Sequence, residues 1–259
     1  MFIFELEFDA MKRYFIKLAY NGTNYHGWQI QDNADTVQAE VNEKLSLLLG
    51  EKINVVGCGR TDAGVHARTF YAHFDIARLN CNPDELSYKL DRFLPTDIVV
   101  YNIFKVKPDF HSRFSAVSRT YRYYISRTKD PFCDKQCYYF HGTLDIEAMK
   151  AASHYLFEFE DFTSFSKLHT QTATNNCVIS EAIWEEKNGK MIFTITADRF
   201  LRNMVRAIVG TLLEIGKGKL KVEDMKNIIE ARDRSKAGFS VPAQGLFLEK
   251  VKYPFNVEV

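Results

Sequence analysis

One carboxylate lies in a loop that is rich in glycine and cations. Residues 57–68 read G-C-G-R-T-D-A-G-V-H-A-R, so Asp62 has Arg60, His66 and Arg68 as neighbours along the chain. Nearby cations favour the ionised form of a carboxylate, which can act as a nucleophile or a base. The glycines permit tight turns that bring the main chain close to a ligand. The loop therefore predicts a reactive Asp62. The alternative is an Asx turn, in which the carboxylate only binds the amides of its own loop.

A second cluster combines cations with aromatic rings. Residues 113–135 contain six cations, which are Arg113, Arg119, Arg122, Arg127, Lys129 and Lys135. Five aromatic residues lie among them, namely Phe114, Tyr121, Tyr123, Tyr124 and Phe132. Rings that stack on bases, beside cations that hold phosphates, are typical of sites for unpaired RNA. The alternative is that the tyrosines only fill a strand over residues 120–126, where Arg122 faces the side opposite to its tyrosine neighbours.

A third candidate is a row of arginines on a predicted helix over residues 200–215. With 100° per residue, Arg199, Arg202 and Arg206 fall within a stripe of about 60°. Such a row could hold the phosphates of a nucleic acid, whereas the alternative is an ordinary solvated helix face. Arg206 differs from the others because it lies deepest in the apolar run. A cation in such a place needs an anionic partner.

The composition narrows the class of protein. The chain has 259 residues, of which 46% are hydrophobic and 26% are charged, as is typical of soluble globular proteins. The net charge of +1 argues neither for nor against a polyanionic partner. The five cysteines come without a secretory signal, which predicts reduced thiols, and no apolar run is long enough to span a membrane. We therefore expect a cytoplasmic protein that does not contact a membrane.

Cofactor sites are not indicated by the sequence. The phosphate loop G-x-x-x-x-G-K-[ST] does not occur, so no nucleotide cofactor is expected. Cys133, Cys137 and His141 are three potential zinc ligands, but their spacing is loose and no fourth ligand repeats it. Alternation along a strand over residues 136–141 explains them more simply. An enzyme that uses zinc or a thiol at these residues remains as an alternative.

Strand-like and helix-like segments alternate along the chain and must position these groups. We predict strands at residues 14–20, 53–58, 69–76, 98–105, 120–126, 178–186, 191–197 and 245–253. We predict helices at residues 36–49, 82–93, 146–157, 200–215 and 222–231. The pair Asn188-Gly189 predicts a type I′ hairpin turn.

These segments predict an α+β fold. Two similar α/β halves share a mainly antiparallel mixed sheet flanked by helices, with an active-site cleft between the halves. We divide the chain into an N-terminal extension (1–10), an N-terminal subdomain that carries the loop of Asp62 (11–107), a C-terminal subdomain (108–254) and a tail (255–259).

Several of these segments resemble one family. The run G-R-T-D-A-G-V-H-A at residues 59–67 resembles the signature loop of the tRNA pseudouridine synthases of the A type. Further matches follow in the same order, namely Y-H-G-W-Q (25–29), R-T-Y-R-Y (119–123), D-F-T-S-F (161–165), M-V-R (204–206) and G-L-F-L (245–248). The resemblance covers residues 11–254, so residues 1–10 inherit no role from it.

The resemblance implies an isomerase that converts uridine to pseudouridine at positions 38, 39 and 40, in the anticodon stem-loop of tRNAs. The target base must leave the stack before a carboxylate can reach it. No cofactor and no metal are implied, and members of the family act as homodimers. A protein that binds tRNA without catalysis is the main alternative, and it would need a substitution at Asp62 or a blocked pocket.

The resemblance also implies roles for individual residues. Asp62 is the catalytic aspartate, by attack on the sugar, attack on the base or removal of the 2′ proton, and Arg206 pairs with it. Tyr121 stacks on the flipped base and moves a proton at C5. Arg60 fills the space that the base leaves, and Leu246 lines the base pocket. Further substrate contacts are expected from other residues of the loop and the helix, namely His66, Arg68 and Arg202.

Overall fold

The computed structural model describes residues 11–167 and 174–254. The first half contains β1 (Lys12–Tyr20), α1 (Val37–Leu49), β2 (Val56–Gly57), β3 (His66–Ile76), α2 (Pro83–Phe93) and β4 (Ile98–Val106). The second half contains β5 (Ser118–Ser126), β6 (Tyr138–Tyr139), α3 (Ile146–His154), β7 (Ile179–Lys187), β8 (Lys190–Ala197), α4 (Met204–Gly216), α5 (Asp224–Ala231) and β9 (Leu246–Lys252). The predicted extension at residues 1–10 and the tail at 255–259 lie outside the described residues.

The described strands form one sheet that runs through both halves. Its main order is β4-β1-β3-β9-β5-β8-β7, with β2 beside β3 and β6 beside β5. The pairs are antiparallel except β3 with β9 and β5 with β6. The predicted α+β fold with a mainly antiparallel mixed sheet is confirmed. Within the described residues, no helix is both long and apolar enough to cross a membrane.

The closing strand β9 joins the two halves. It pairs with β3 of the first half through His66 and Ala67 and with β5 of the second half along most of its length. The buried hydrophobic side chains form two clusters, one for each half, but Val65 packs in the cluster of the second half. The loop of Asp62 therefore lies where the two halves meet. The boundary that we predict at residue 107 stays a prediction.

Local signals in the sequence placed several element ends correctly. Thr36 caps α1, and Gly50 ends it with a φ of 72°. Asn82 caps α2, whose first residue is Pro83. Asn188 and Gly189 have φ values of 52° and 70°, so the β7–β8 hairpin has the predicted pair of left-handed residues.

Other element boundaries were predicted wrongly. The helix predicted at residues 200–215 begins at Met204, because Asn203 adopts a left-handed φ of 67°. Arg199 and Arg202 therefore precede the helix, and the predicted stripe of three arginines does not exist. The strand predicted at residues 53–58 is reduced to β2, and β3 begins three residues earlier than expected. That early start moves His66 and Arg68 from the loop into a strand.

The linker between the halves, residues 107–117 between β4 and β5, is anchored to β3. His73, only 3% exposed, accepts a hydrogen bond at Nδ1 from the amide of the buried Ser112 at 3.2 Å, and the Ser112 hydroxyl lies 2.8 Å from the same nitrogen. The Ser112 hydroxyl donates to the carbonyl of Val56 at 2.7 Å, and the carbonyl of Ser112 accepts from the Tyr253 hydroxyl at 2.6 Å. Burial, aided by the neighbouring Arg13, lowers the pKa of His73 to about 4. The imidazole is therefore neutral in the folded protein.

We expect His73 to make folding sensitive to acid. Between pH 6.5 and about 4 the unfolded chain takes up a proton at this position and the folded chain does not. The free energy of unfolding should therefore fall as the pH is lowered, by up to about 3 kcal/mol. Urea denaturation at pH 7.5, 5.5 and 4.5 measures this decrease. In His73→Asn, which can still accept from Ser112, the decrease should be clearly smaller, and an equal decrease in both proteins would contradict the assignment.

Candidate active site

A cleft of about 1180 Å³ opens at the loop of Asp62. Its charged side chains are Arg60, Asp62, Lys167, Arg202, Arg206 and Arg234. Among the described residues that line it, five cations thus surround a single carboxylate. A concave surface with this charge pattern favours a polyanionic ligand, and the carboxylate among these charges can carry out acid, base or nucleophilic chemistry.

Main-chain contacts hold the loop of Asp62 in place. The carbonyl of Thr61 accepts a hydrogen bond from the amide of Trp28 at 3.3 Å, and the hydroxyl of Thr61 lies 2.9 Å from that of Tyr20. The amide of Gly64, which has a φ of 76°, donates to the carbonyl of Tyr25 at 3.2 Å. Within the described residues, no amide of this loop donates to the Asp62 carboxylate, which accepts from Arg206. The Asx-turn alternative therefore does not hold, and the carboxylate is free for other partners.

The carboxylate of Asp62 meets Arg206 across the two halves of the chain. Arg206 Nη1 lies 3.4 Å from Asp62 Oδ2, and the Asp62 side chain is 27% exposed. Arg206 Nε donates to the carbonyl of Val241 at 2.7 Å, and the amide of Val241 donates back to the carbonyl of Arg206 at 3.2 Å. Val241 thus fixes the guanidinium from behind. The 3.4 Å contact is at the long end of hydrogen-bond distances and can tighten when a ligand excludes water.

Tyr121 lies between the two hydrophobic clusters, next to this pair. Its ring packs against both clusters and meets Phe200 edge to face, with the ring centroids 5.2 Å apart. Burial raises the pKa of the Tyr121 phenol above its ordinary value, and the nearby charge of Asp62 raises it further. The phenol therefore keeps its proton at neutral pH.

The structure separates the other predicted site residues into two groups. Arg60 and Arg202 are exposed and line the cleft. His66 is 1% exposed, and both of its ring nitrogens have partners in the protein. Its Nδ1 accepts from the amide of Gly22, and its Nε2 lies 3.2 Å from the carbonyl of Gln244. Arg68 pairs with Glu249 at 3.2 Å. The predicted RNA contacts of His66 and Arg68 find no support in this geometry.

Leu246 and the potential zinc ligands contact other protein groups. Leu246 is buried opposite Tyr123, in the same hydrophobic cluster as Val65. Cys133 Sγ lies 2.8 Å from Lys190 Nζ, and Cys137 Sγ lies 3.0 Å from the carbonyl of Cys133. Within residues 11–167 and 174–254, no three His, Cys, Asp or Glu side chains gather as a metal site.

Two cations of the cleft were missed in the sequence. Lys167 follows a short helical turn, and its amide donates to the carbonyl of Arg202. Arg234 follows α5, and its guanidinium bonds to the carbonyls of Ala237 and Gly238 and to the hydroxyl of Ser240. Both lie on irregular segments without a periodic pattern. The run A-R-D-R-S-K at residues 231–236 was the available signal for Arg234.

Gly27 sets how closely the neighbouring loop approaches Asp62. It has a φ of 92°, and a Cβ atom there would lie 2.3 Å from the carbonyl oxygen of Thr61. We expect Gly27→Ala to lower kcat more than tenfold and to reduce the free energy of unfolding by about 2–3 kcal/mol. Gly50→Ala is the matched control, since Gly50 has a φ of 72° and open space around it. Steady-state kinetics and thermal melting should show a modest loss of stability with unchanged kcat for Gly50→Ala. Wild-type kcat in Gly27→Ala would contradict the positioning role.

Comparison with known proteins finds similarity along nearly the whole chain. The model of a family described as tRNA pseudouridine synthase matches residues 17–115 and 151–254. A protein of Parabacteroides distasonis named tRNA pseudouridine synthase A is 54% identical over 244 residues, which cover 94% of this chain and 97% of the relative. Proteins of the same name from Bacteroides thetaiotaomicron (54% identity; 95% of this chain and 93% of the relative) and Clostridium acetobutylicum (44%; 94% and 100%) are also similar.

Proposed function

The chain belongs to the tRNA pseudouridine synthase family and is therefore an isomerase of uridine in tRNA, and from this premise we propose that Asp62 performs the reaction at positions 38, 39 and 40 of the anticodon stem-loop. The observation that carries this proposal is the position of Asp62. Its carboxylate is partly exposed, is held by Arg206, and is surrounded by cations in the cleft. The RNA backbone is the polyanion that such a cleft fits.

The target nucleotide must leave its stack to reach Asp62, at a cost of a few kcal/mol. Arg60 is exposed on the same loop, two residues before Asp62, and can occupy the space that the base vacates. Arg202, Lys167 and Arg234 contribute positive charge along the cleft. Because these groups attract the backbone rather than base edges, one site can accept three neighbouring positions.

The isomerisation is balanced without any other reactant. The N1–C1′ bond breaks, the base turns, C5 bonds to C1′, the proton at C5 leaves, and N1 gains a proton. Asp62 begins the reaction by attacking C1′, by attacking the base, or by removing the 2′ proton. Arg206 orients the carboxylate through a charge-assisted hydrogen bond.

Two further groups complete the pocket that we propose. The Tyr121 phenol keeps its proton at neutral pH and lies near Asp62, so it can stack on the turned base and exchange a proton at C5. Leu246, in the same hydrophobic cluster as Val65, supplies the apolar floor. Arg202 remains a proposed phosphate contact, since it is exposed at the cleft.

Mapping of pseudouridine in RNA tests this function. Unmodified tRNA transcript is incubated with the protein, treated with a carbodiimide and read by primer extension. We expect new stops one nucleotide 3′ of positions 38, 39 or 40 where the transcript carries uridine there, and none in a transcript with cytidine at those positions. Modification confined to other positions would overturn the proposed site on tRNA. Binding without any stops would favour a tRNA-binding protein without catalysis.

We propose that the enzyme acts as a homodimer in the cytoplasm, where tRNA is available as the substrate. Light scattering of the purified protein should then give twice the 30.0 kDa mass of one chain. A mass of one chain at micromolar concentration would overturn the dimer.

A further inference from the structure

The guanidinium of Arg119 forms hydrogen bonds to three segments of the chain, and each of these segments carries another arginine. Arg119, near the start of β5, donates to four main-chain carbonyls, namely those of Cys58, Arg113, Ala116 and Asp198. Arg60 follows the first of these carbonyls by two residues, and Arg199 directly follows the last. The side chains of Arg60, Arg113 and Arg199, which we call the arginine triad, therefore start from segments that meet at a single point.

The charges of the arginine triad are not balanced by carboxylates. Within the described residues, no ion pair joins any of its members to an acidic side chain. The carboxylate of Asp198 lies beside Arg199 but accepts from the amides of Val178 and Arg199. Burial lowers the pKa of Arg113, and the charges of Arg60, Arg119 and Arg199 lower it further. Cations that repel each other in this way form a site that an anion would stabilise.

An exposed aromatic ring lies beside the arginine triad. Phe114 is 74% exposed, and the guanidinium of Arg113 lies 5.4 Å from the centroid of its ring. The centroid of the His111 ring lies 4.4 Å from that of the Phe114 ring. The ring is held next to cations, and most of its surface faces solvent. This combination favours an unpaired base next to its own phosphate.

We propose that the arginine triad binds one RNA backbone phosphate and that Phe114 stacks on an unpaired base of the same strand. Arg60 belongs both to the triad and to the cleft of Asp62, so this second site continues the cleft toward the linker between the halves. The guanidinium fork suits a phosphate, and Arg119 positions the segments without itself contacting RNA. The proposal rests on the proposed function, because it takes the RNA to be the tRNA whose uridine enters the cleft.

Salt-dependent binding of an unmodified tRNA transcript tests the phosphate site. For Arg113→Gln/Arg199→Gln we expect Kd to rise about tenfold at 0.15 M KCl, and the slope of log Kd against log[KCl] to fall by about one. All four main-chain carbonyls that accept from Arg119 remain in this variant, and thermal melting verifies that it is folded. Arg113→Lys/Arg199→Lys keeps the charge and should keep the slope. Arg78→Gln, an exposed cation beyond the far end of β3, should keep both the Kd and the slope.

Phe114→Ala tests the stacking site independently. Stacking releases no counterions, so Kd should rise about tenfold while the salt slope stays that of wild type. An unchanged slope in the glutamine variant would overturn the phosphate site, and a Kd within twofold of wild type in Phe114→Ala would overturn the stacking site. In the same samples, wild-type protein must form pseudouridine in the transcript. If it binds with the expected slopes but forms none, the proposed function fails while the second site stands.

Discussion

Asp62→Asn is expected to reduce turnover at least about 1,000-fold while leaving tRNA binding intact. The amide has the shape of the carboxylate but cannot act as a nucleophile or remove a proton. Its loss of negative charge makes the cleft more positive, because the other charged groups in the lining are cations. The Kd for tRNA should therefore stay unchanged or decrease. A loss of activity through weaker binding is not expected.

Tritium release from tRNA labelled at C5 of uridine measures this turnover, since the C5 proton leaves in every cycle. Asp109→Asn is the matched control, because it removes the same charge at an exposed position in the linker between the halves. It should release tritium at the wild-type rate. If Asp62→Asn retains a tenth or more of the wild-type rate, the carboxylate is not the reactive group.

Arg206→Lys is expected to lower kcat about 100-fold, which corresponds to about 2.7 kcal/mol in activation free energy. Arg206 uses Nε for the carbonyl of Val241 and Nη1 for the carboxylate of Asp62. One ammonium group on a shorter side chain cannot make both contacts in the same geometry. Because the brace acts on Asp62 rather than on the RNA, the loss should appear in kcat, with KM changed less than threefold.

The matched control for this prediction is Arg13→Lys. Arg13 makes a two-point contact to Asp75, at 2.7 and 2.6 Å, far from the cleft in sequence and in the sheet. That change should lower the melting temperature and leave kcat unchanged. Near-normal kcat in Arg206→Lys would contradict the brace, and so would a loss confined to KM.

The sequence predicted which residues belong to the candidate site better than it predicted their arrangement. A reactive Asp62 was predicted from its loop, and Arg206 was expected to need an anionic partner because it interrupts an apolar run. The two residues are 144 positions apart, and their pairing depends on β9 joining β3 to β5. A contact of that kind follows from the topology, and no local pattern along the chain encodes it.

The errors have local physical causes. His66 was predicted to contact RNA because it follows Asp62 in a polar loop, but β3 begins at His66 and turns its ring into the interior. The left-handed Asn203 removed Arg199 and Arg202 from the helix, and periodicity does not reveal such a break. The same break directs Arg202 to the cleft, while Arg199 joins the arginine triad. The predicted basic and aromatic cluster of residues 113–135 is likewise divided, since Arg113, Phe114 and Arg119 lie with Arg199, whereas the ring of Tyr121 packs against the two hydrophobic clusters.

The most direct test is a crystal structure of Asp62→Asn bound to an unmodified anticodon arm that carries uridine at position 39. We predict that this uridine is out of the stack, with Arg60 in the vacated space and the ring of Tyr121 against the base. The side chain at position 62 should lie about 3.5 Å from C1′, from the 2′ carbon or from C6 of the nucleotide. An intact stack in the cleft, or an extruded uridine bound about 10 Å or more from position 62, would contradict the account.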